Sequence, residues 1–462
     1  MSAPISPERV LPTLNADGSR FLIRPRLYPG RFHRRRRWVA WALMALFIGL
    51  PFVKVGGKPA MLLDVAERHF TFFGHTFLAT DGVLLMFFML SVFATVFFVT
   101  ALVGRGFCGW ACPQTVYMEF LFRPIERLFE GKREDQLRID KNGFSYRRLA
   151  KNGVFLVLAF ALGNIFLSYF VGVDRLVHWM SHSPVEHWGG FLVMAVTTGL
   201  VFFDFSYFRE QMCTVICPYA RLQSVLLDRR SLVVGYDKKR GEPRSKGKPK
   251  PGNGDCIDCS ACVVACPTGI DIRKGLQLEC IACAQCVDAC DSIMDKIKKP
   301  RGLIRYGSQN SLDHAGKTKI LRTRVFIYAG LLVVLFSALA LTGRAKQKTD
   351  VTVLRGLAAP FTLSGDEVTN LLRLKIQNRD PVAHHYSLTL LDAPGAKVIA
   401  PELPLEVPPM EQRSTSFFVI EKTSAFVNGE RRVRLRVRDE AGFSSDSAYK
   451  LLGPTNTSAP SP

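Results

Sequence analysis

A chain of 462 residues is too long for one compact core and predicts several folding units. Its hydrophobic content of 48%, with 34 Phe, argues against a wholly soluble protein and for lipid as the covering solvent. The net charge of +22 is not gathered on a basic domain with interleaved aromatics, which excludes a nucleic-acid binder, and instead clusters beside apolar runs as a topology signal.

Residues 1–37 form a basic segment that is polar and proline-spotted, without the apolar core of a signal peptide, so the amino terminus is expected in the cytoplasm. Apolar runs at 38–53, 82–103, 153–172, 189–206 and 325–342 predict five transmembrane helices. The first is short, holds Pro51 and is followed by Lys54; it is expected to recruit part of Val55 to Leu63 or to sit in thinned bilayer. Lys and Arg number nine in residues 1–37 and ten in 104–152, against three in 54–80 and one in 173–188. Retention of basic loops inside then places 207–324 in the cytoplasm and 343–462 on the periplasmic face.

The first four helices make a membrane region over 38–233. Residues 234–255 follow as a linker: the stretch Tyr236 to Asp255 is rich in Gly, Pro and Lys, has almost no apolar residues, and is expected to be a tether that meets anionic head groups. A ferredoxin-type domain is expected over 256–300 and a connector over 301–324, leading to the fifth helix at 325–342. From Val351 the pattern turns to period two, as in Leu372, Leu374, Ile376, then Tyr386, Leu388, Leu390, then Val433, Leu435, Val437. Turn chemistry at Asp392 to Gly395 and at Asn428-Gly429 separates these strands. Residues 343–462 are therefore expected to form an immunoglobulin-like β-sandwich, a docking or stabilising module without a catalytic constellation.

The chemistry lies in the 12 cysteines. Cys256, Cys259, Cys262 and Cys266-Pro267 have the bacterial ferredoxin spacing, and Cys280, Cys283, Cys286 and Cys290 repeat it. In that motif three thiolates wrap one cubane while the fourth reaches the neighbouring cluster. One [4Fe-4S] cluster should take Cys256, Cys259, Cys262 and Cys290, the other Cys280, Cys283, Cys286 and Cys266. Zinc sites and disulfides explain this run less well.

A second pair of motifs, Cys108-Gly-Trp-Ala-Cys112-Pro113 and Cys213-Thr-Val-Ile-Cys217-Pro218, follows the second and fourth apolar runs. Each pair can present two sulfurs on one helical face, and the arrangement reads as an internal duplication that brings four thiols to a common centre. Copper ligation, an extra redox centre and an electron-shuttling dithiol all fit. His69, His75, His178, His182 and His187, with Met61 and Met180, could furnish an exit-side metal site, although scattered loop histidines are more often surface residues.

The phrases RGFCGWACPQTVYMEFLFRPIE (Arg105 to Glu126) and CPYARLQSVLLDRRSLVVGYDKKRGEPR (Cys217 to Arg244), with the double ferredoxin run, resemble the FixG/CcoG/RdxA family of cytochrome oxidase accessory proteins. The resemblance covers nearly the whole chain. It implies a bacterial inner-membrane cupric reductase, converting Cu(II) to Cu(I) for assembly of the cbb-type oxidase, in which both Cys-x-x-x-Cys-Pro pairs matter for copper handling. Membrane lipid, oxidase assembly factors, a copper-exporting ATPase and an unidentified electron donor would be its partners. The ferredoxin run is shared with membrane quinol dehydrogenases, and an electron-transfer subunit or a copper-holding scaffold are the rival readings.

Overall fold

The structure, a computed structural model, describes residues 9–454 apart from 16, 18, 57, 66–68, 74, 79–80, 144, 248–250, 315–321, 345–348, 357–358, 381 and 410. The chain divides into two compact units, Met1–Ala340 and Leu341–Pro462.

Among the described residues, four helices are long and apolar enough to cross a membrane: Gly82–Val103, Tyr146–Val171, Trp188–Phe208 and Thr323–Arg344. Each reaches roughly 30 Å or more at 1.5 Å per residue. Large apolar side chains such as Phe93, Leu200 and Phe326 stand exposed on them, as lipid contact requires.

The helix expected to cross first, Arg31–Gly49, differs from these four. Arg34 to Arg37 occupy its opening turns, so its apolar part runs only from Trp38, a length of about 18 Å. Val55 to Leu63 do not extend it. Pro51 lies in a 3₁₀ turn over Leu50–Phe52, after which Lys54–Val55 pairs with Lys58–Pro59. Met61–Asp64, His69–Phe72 and His75–Leu78 then form a three-stranded antiparallel sheet. Pro51 has no N–H to carry the helical ladder onward, and the following residues satisfy their backbone groups across strands instead.

The start of this first helix is anchored on the ferredoxin region. Asp288, on the helix Gln285–Lys296, accepts hydrogen bonds from the backbone N–H groups of Phe32 (3.1 Å) and His33 (2.7 Å). A carboxylate at a helix start satisfies orphan donors and meets the positive end of the dipole. Gly30 permits the approach, since a Cβ there would lie 2.3 Å from Asp288 Cγ.

The expected tether is also ordered where it is described. Val233–Tyr236 pairs with Ile304–Gly307, and Asp237 caps the short helix Lys238–Gly241. Asp255 takes both Arg240 (2.6 Å) and Lys299 (3.1 Å). Polar composition shows that this segment cannot bury a core of its own; it does not prevent its charges from finding fixed partners on a neighbouring one. The ferredoxin core draws on both flanks of 256–300, with Val234, Tyr236, Leu303 and Ile304 packed among the cysteines.

The second unit is an antiparallel sandwich. One sheet has the order Thr349–Arg355, Glu367–Asn378, Gln412–Lys422, Lys397–Ile399, with Thr362–Ser364 also paired to Glu367–Asn378. The other runs Leu405–Val407, His384–Leu390, Glu430–Asp439, Ser444–Leu452. Leu372, Leu374, Ile376, Tyr386, Val433, Leu435 and Val437 face the shared core, as their alternation demands. Asn428 (φ 51°) and Gly429 (φ 77°) supply the paired positive φ values of a tight hairpin turn before Glu430–Asp439.

Candidate metal centres

The two ferredoxin runs fold alike. Asp258 and Ser260 adopt left-handed φ values of 50° and 54°, and Ala282 and Ala284, at the same offsets in the second run, take 51° and 57°. Four non-glycine residues in this region mark loops held by their surroundings, and alternating hand turns backbone N–H groups toward a common concavity suited to an anionic group. Helices begin directly after them, at Ala261 and Gln285.

Two cavities lie inside these loops. Cys256, Cys259, Cys262 and Cys290 line one, together with Tyr236, Arg273 and Met294. Cys266, Cys280, Cys283 and Cys286 line the other, with Cys262 at its edge and Ile270 and Ile272 in the wall. All eight cysteines are free, and only Cys259 is exposed. Burial pushes the Cys280 thiol up to about 11, the Cys283 and Cys290 thiols up to about 12, and the Cys262 and Cys286 thiols up as well. Thiolates form here only when a cationic centre replaces their protons. The eight sulfurs line these two cavities, four to each. These walls fit an iron–sulfur cubane, whose chemistry when bound is one-electron transfer.

The other four cysteines form a second assembly. Cys112 and Cys217 each cap a helix whose first residue is proline, with nearly equal backbone angles (φ −63°, ψ 126° and φ −60°, ψ 111°). The Cys112 N–H reaches Phe107 O at 2.9 Å and the Cys217 N–H reaches Met212 O at 2.8 Å, the same offset in both. Four residues before the first cysteine of each pair the chain takes a left-handed bend, at Gly104 (φ 57°, ψ −127°) and Arg209 (φ 54°, ψ −121°). The carbonyls at those bends are bound across the two halves: Gln223 donates to Gly104 O (3.0 Å) and Gln114 to Arg209 O (3.1 Å). The duplication in sequence is thus one of backbone conformation too.

Burial, then Cys112, raises the Cys108 thiol to about 12; burial, then Cys112 and Cys108, raises Cys213. Burial also raises Cys112, against the helix N–H groups of Thr115 and Gln114, which favour its thiolate. Cys108 Sγ donates to Gln223 Oε1 at 3.2 Å.

This assembly touches the wall of the second ferredoxin cavity. Arg105 donates to the carbonyls of Leu278 and Cys280. Trp110 Nε1 donates to the Tyr306 hydroxyl (3.0 Å), which donates to Ala282 O (2.5 Å). Gly109 lies so close to Cys283 that a Cβ there would meet its Cα at 2.8 Å and Ile281 O at 2.4 Å. Arg105, Gly109, Gln223 and Tyr306 were not singled out in the sequence, because their roles depend on partners more than 80 residues away or on a backbone approach that has no local signature. A glycine between two motif cysteines was the available hint.

Among the histidines, the rings of His178, His182 and His187 come together, with centroids 4.0, 5.1 and 5.9 Å apart. The side chains of His69 and His75 lie outside the described residues. Met61 lines a cavity in the membrane region, and Met180 is exposed.

Similarity to known proteins follows the same map. RdxA of Cereibacter sphaeroides is 34% identical over 399 residues, covering 81% of this chain and 83% of its own. The chain belongs to the FixG/RdxA family. FixG of Rhizobium meliloti, described as a nitrogen fixation protein, is 31% identical over 431 residues, covering 81% of this chain and 80% of FixG. RdxB of C. sphaeroides is 34% identical over 394, covering 79% and 81%. A 4Fe-4S dicluster domain profile matches 208–309, a 4Fe-4S binding domain profile matches 85–133, and a profile for the IG-like fold at the C terminus of FixG matches 339–454. A crystal structure of a FixG-related protein from Vibrio parahaemolyticus covers 23% of this chain and 97% of its own, at 16% identity and a TM-score of 0.21. This member of the family is a membrane iron–sulfur protein of the electron-transfer kind, with an immunoglobulin-like carboxy-terminal domain.

Proposed function

We propose that the protein reduces Cu(II) to Cu(I) at a bacterial inner membrane, for assembly of a cbb-type cytochrome oxidase. One [4Fe-4S] cluster is held by Cys256, Cys259, Cys262 and Cys290 and the other by Cys280, Cys283, Cys286 and Cys266. The substrate Cu(II) is presented to Cys108, Cys112, Cys213 and Cys217, where each ion takes one electron and leaves as Cu(I) for an exporting ATPase. Five crossings, the short Arg31–Gly49 helix being the first, put the amino terminus and the metal centres in the cytoplasm and the β-sandwich in the periplasm.

The observation that carries this reading is the direct packing of the four-thiol assembly on the cavity lined by Cys280 and Cys283. Gly109 and Arg105 bring the two centres into contact without an intervening layer. Soft thiolates favour Cu(I) over harder ions, so the same sulfurs that receive copper bias it toward the reduced state. Arg105, which donates to Cys280 O and feels both Cys280 and Cys108, sets a positive charge beside the two centres. Gln223, which accepts from Cys108, holds that sulfur in place.

The test is Cu(II) reduction by anaerobically purified, dithionite-reduced protein, read with a Cu(I)-specific chelator. Cys108→Ala and Cys213→Ala should each lower the rate at least tenfold; parental rates in both would overturn the assignment of these thiols. A second reading has one observation in its favour: the 4Fe-4S binding profile over 85–133 includes Cys108 and Cys112. In that case the four thiols hold a further iron–sulfur centre and the protein serves another enzyme. Iron lost from the cysteine variants, with no copper bound by the parent, would select it.

A further inference from the structure

Arg34 to Arg37 form one basic cluster in the sequence, but the structure separates them. Arg34, Arg35 and Arg37 are exposed, whereas Arg36 is 1% exposed, the largest of the fully buried side chains. Its Nε donates to Gly109 O at 2.8 Å. Gly109 lies against the backbone of Cys283, so the guanidinium stands one hydrogen bond and one glycine away from that cysteine. The Phe120 ring lies beneath it, with 5.4 Å from the guanidinium carbon to the ring centre.

Both terminal nitrogens of Arg36 are closed to water and have no hydrogen-bond partner. Glu119, a carboxylate that feels this charge, is engaged by Arg123 and by Gln285 Nε2 (2.8 Å). Burying an ion in this way is costly unless a counter-charge lies nearby. The four thiolates of the site lined by Cys266, Cys280, Cys283 and Cys286 supply one. The Arg36 charge opposes the effect of burial at the Cys283 thiol, and it is felt at Tyr306, whose hydroxyl donates to Ala282 O in the same loop. The other site is built differently. Arg273 lines it, but Asp271 (2.8 Å) and Asp258 pair with that guanidinium and offset its charge.

We propose that Arg36 is a fixed counter-charge that selectively raises the reduction potential of the centre held by Cys266, Cys280, Cys283 and Cys286; this rests on the ligand sets of the reading above and not on copper as substrate. Reduction of a four-thiolate cubane adds one negative charge, and a cation that water does not shield favours the form carrying it. Burial alone disfavours the added charge. None of these four cysteines is exposed, unlike Cys259 of the other site, so this centre is the one that needs the compensation. Arg36 thereby keeps the centre beside the thiol assembly able to accept an electron from its neighbour. The effect acts through space and requires no contact with the cluster.

The experiment is a potentiometric titration of the full-length, cluster-loaded protein in detergent without copper, read by electron paramagnetic resonance, with iron measured on each sample. Arg36→Gln should lower one of the two midpoints by at least tenfold in the reduction equilibrium, about 59 mV for one electron, and shift the other less than twofold. Thr268→Val identifies that midpoint: the Thr268 hydroxyl lies 3.4 Å from Cys266 Sγ, and its loss should lower the same one. Arg36→Lys keeps the charge and should stay within threefold of the parent. Arg37→Gln removes an exposed charge from the next position and should move neither midpoint. Phe120→Glu sets a carboxylate against Arg36 and should lower the same midpoint, which decides the matter where Arg36→Gln sheds iron. Parental midpoints in iron-loaded Arg36→Gln, an equal shift of both, or Arg36→Lys as low as Arg36→Gln would overturn the proposal. So would unmoved midpoints in Phe120→Glu. A parent chain without iron would overturn the cluster reading and this proposal with it, whereas immobile midpoints in loaded protein sink this proposal alone.

Discussion

Gly109 is a residue at which the backbone of the thiol assembly lies directly against that of the ferredoxin region. With a Cβ 2.4 Å from Ile281 O and 2.8 Å from Cys283 Cα, both backbone atoms, nothing flexible can yield. Gly109→Ala should therefore force the two centres apart or destabilise their contact by about 1–3 kcal/mol, as overpacking does. The expected outcome is retained iron with copper reduction lowered more than tenfold. Unchanged turnover would show that this contact is not the route of the electrons.

The same scale explains what could be read directly from the residues. Metal ligation is coded by spacings of two and three residues, so the ferredoxin run is legible without a fold. A close approach is not coded locally: Gly109 looks like any glycine until Ile281, far along the chain, is laid against it.

Between elements, a buried ionic network fastens the amino-terminal segment to both halves of the duplication. Glu126 accepts two bonds from Arg209 (2.9 and 2.8 Å) and pairs with Arg24, which also binds Asp140 at 2.9 Å. Burial alone would raise the Glu126 carboxyl, but Arg209 and Arg24 hold it far below the usual range. A carboxyl depressed in the folded state adds stability that is whole above its unfolded value of about 4.3 and is lost as pH falls through and below it. Thermal unfolding in detergent should accordingly drop in midpoint below about pH 4. Arg209→Gln should cost about 3 kcal/mol at neutral pH, because it removes the two-bond partner of a buried carboxylate and leaves only Arg24 and Lys151 beside it, and should flatten the acid dependence. A variant as stable and as acid-sensitive as the parent would contradict this role.

Elements differ in how openly the chain announces them. The sandwich strands show period two because one face of each is buried, and the four long apolar helices show their length. The first helix and its sequel do not, since an apolar run of that length is compatible with a helix or with strands, and Pro51 decides between them by a missing N–H. The segment 234–255 announces its local structure no more openly. Low apolar content excludes a private core, whereas Val234 and Tyr236 pack into the core of the ferredoxin region.

In the whole molecule, the order of centres is what matters: four thiols, then the cavity lined by Cys266, Cys280, Cys283 and Cys286, then the one lined by Cys256, Cys259, Cys262 and Cys290. Each neighbouring pair shares a residue or a direct contact, Cys262 lining both ferredoxin cavities. Such contiguity is the requirement for moving single electrons, and it joins the membrane region to the ferredoxin region within one compact unit. All of it depends on the two cysteine-walled cavities holding inorganic clusters. The most direct test is iron and acid-labile sulfide content of the full chain purified without oxygen. About eight of each per chain are expected, four per cubane, falling by about half in Cys283→Ala. A chain that contains neither, or that carries zinc in their place, would contradict the account.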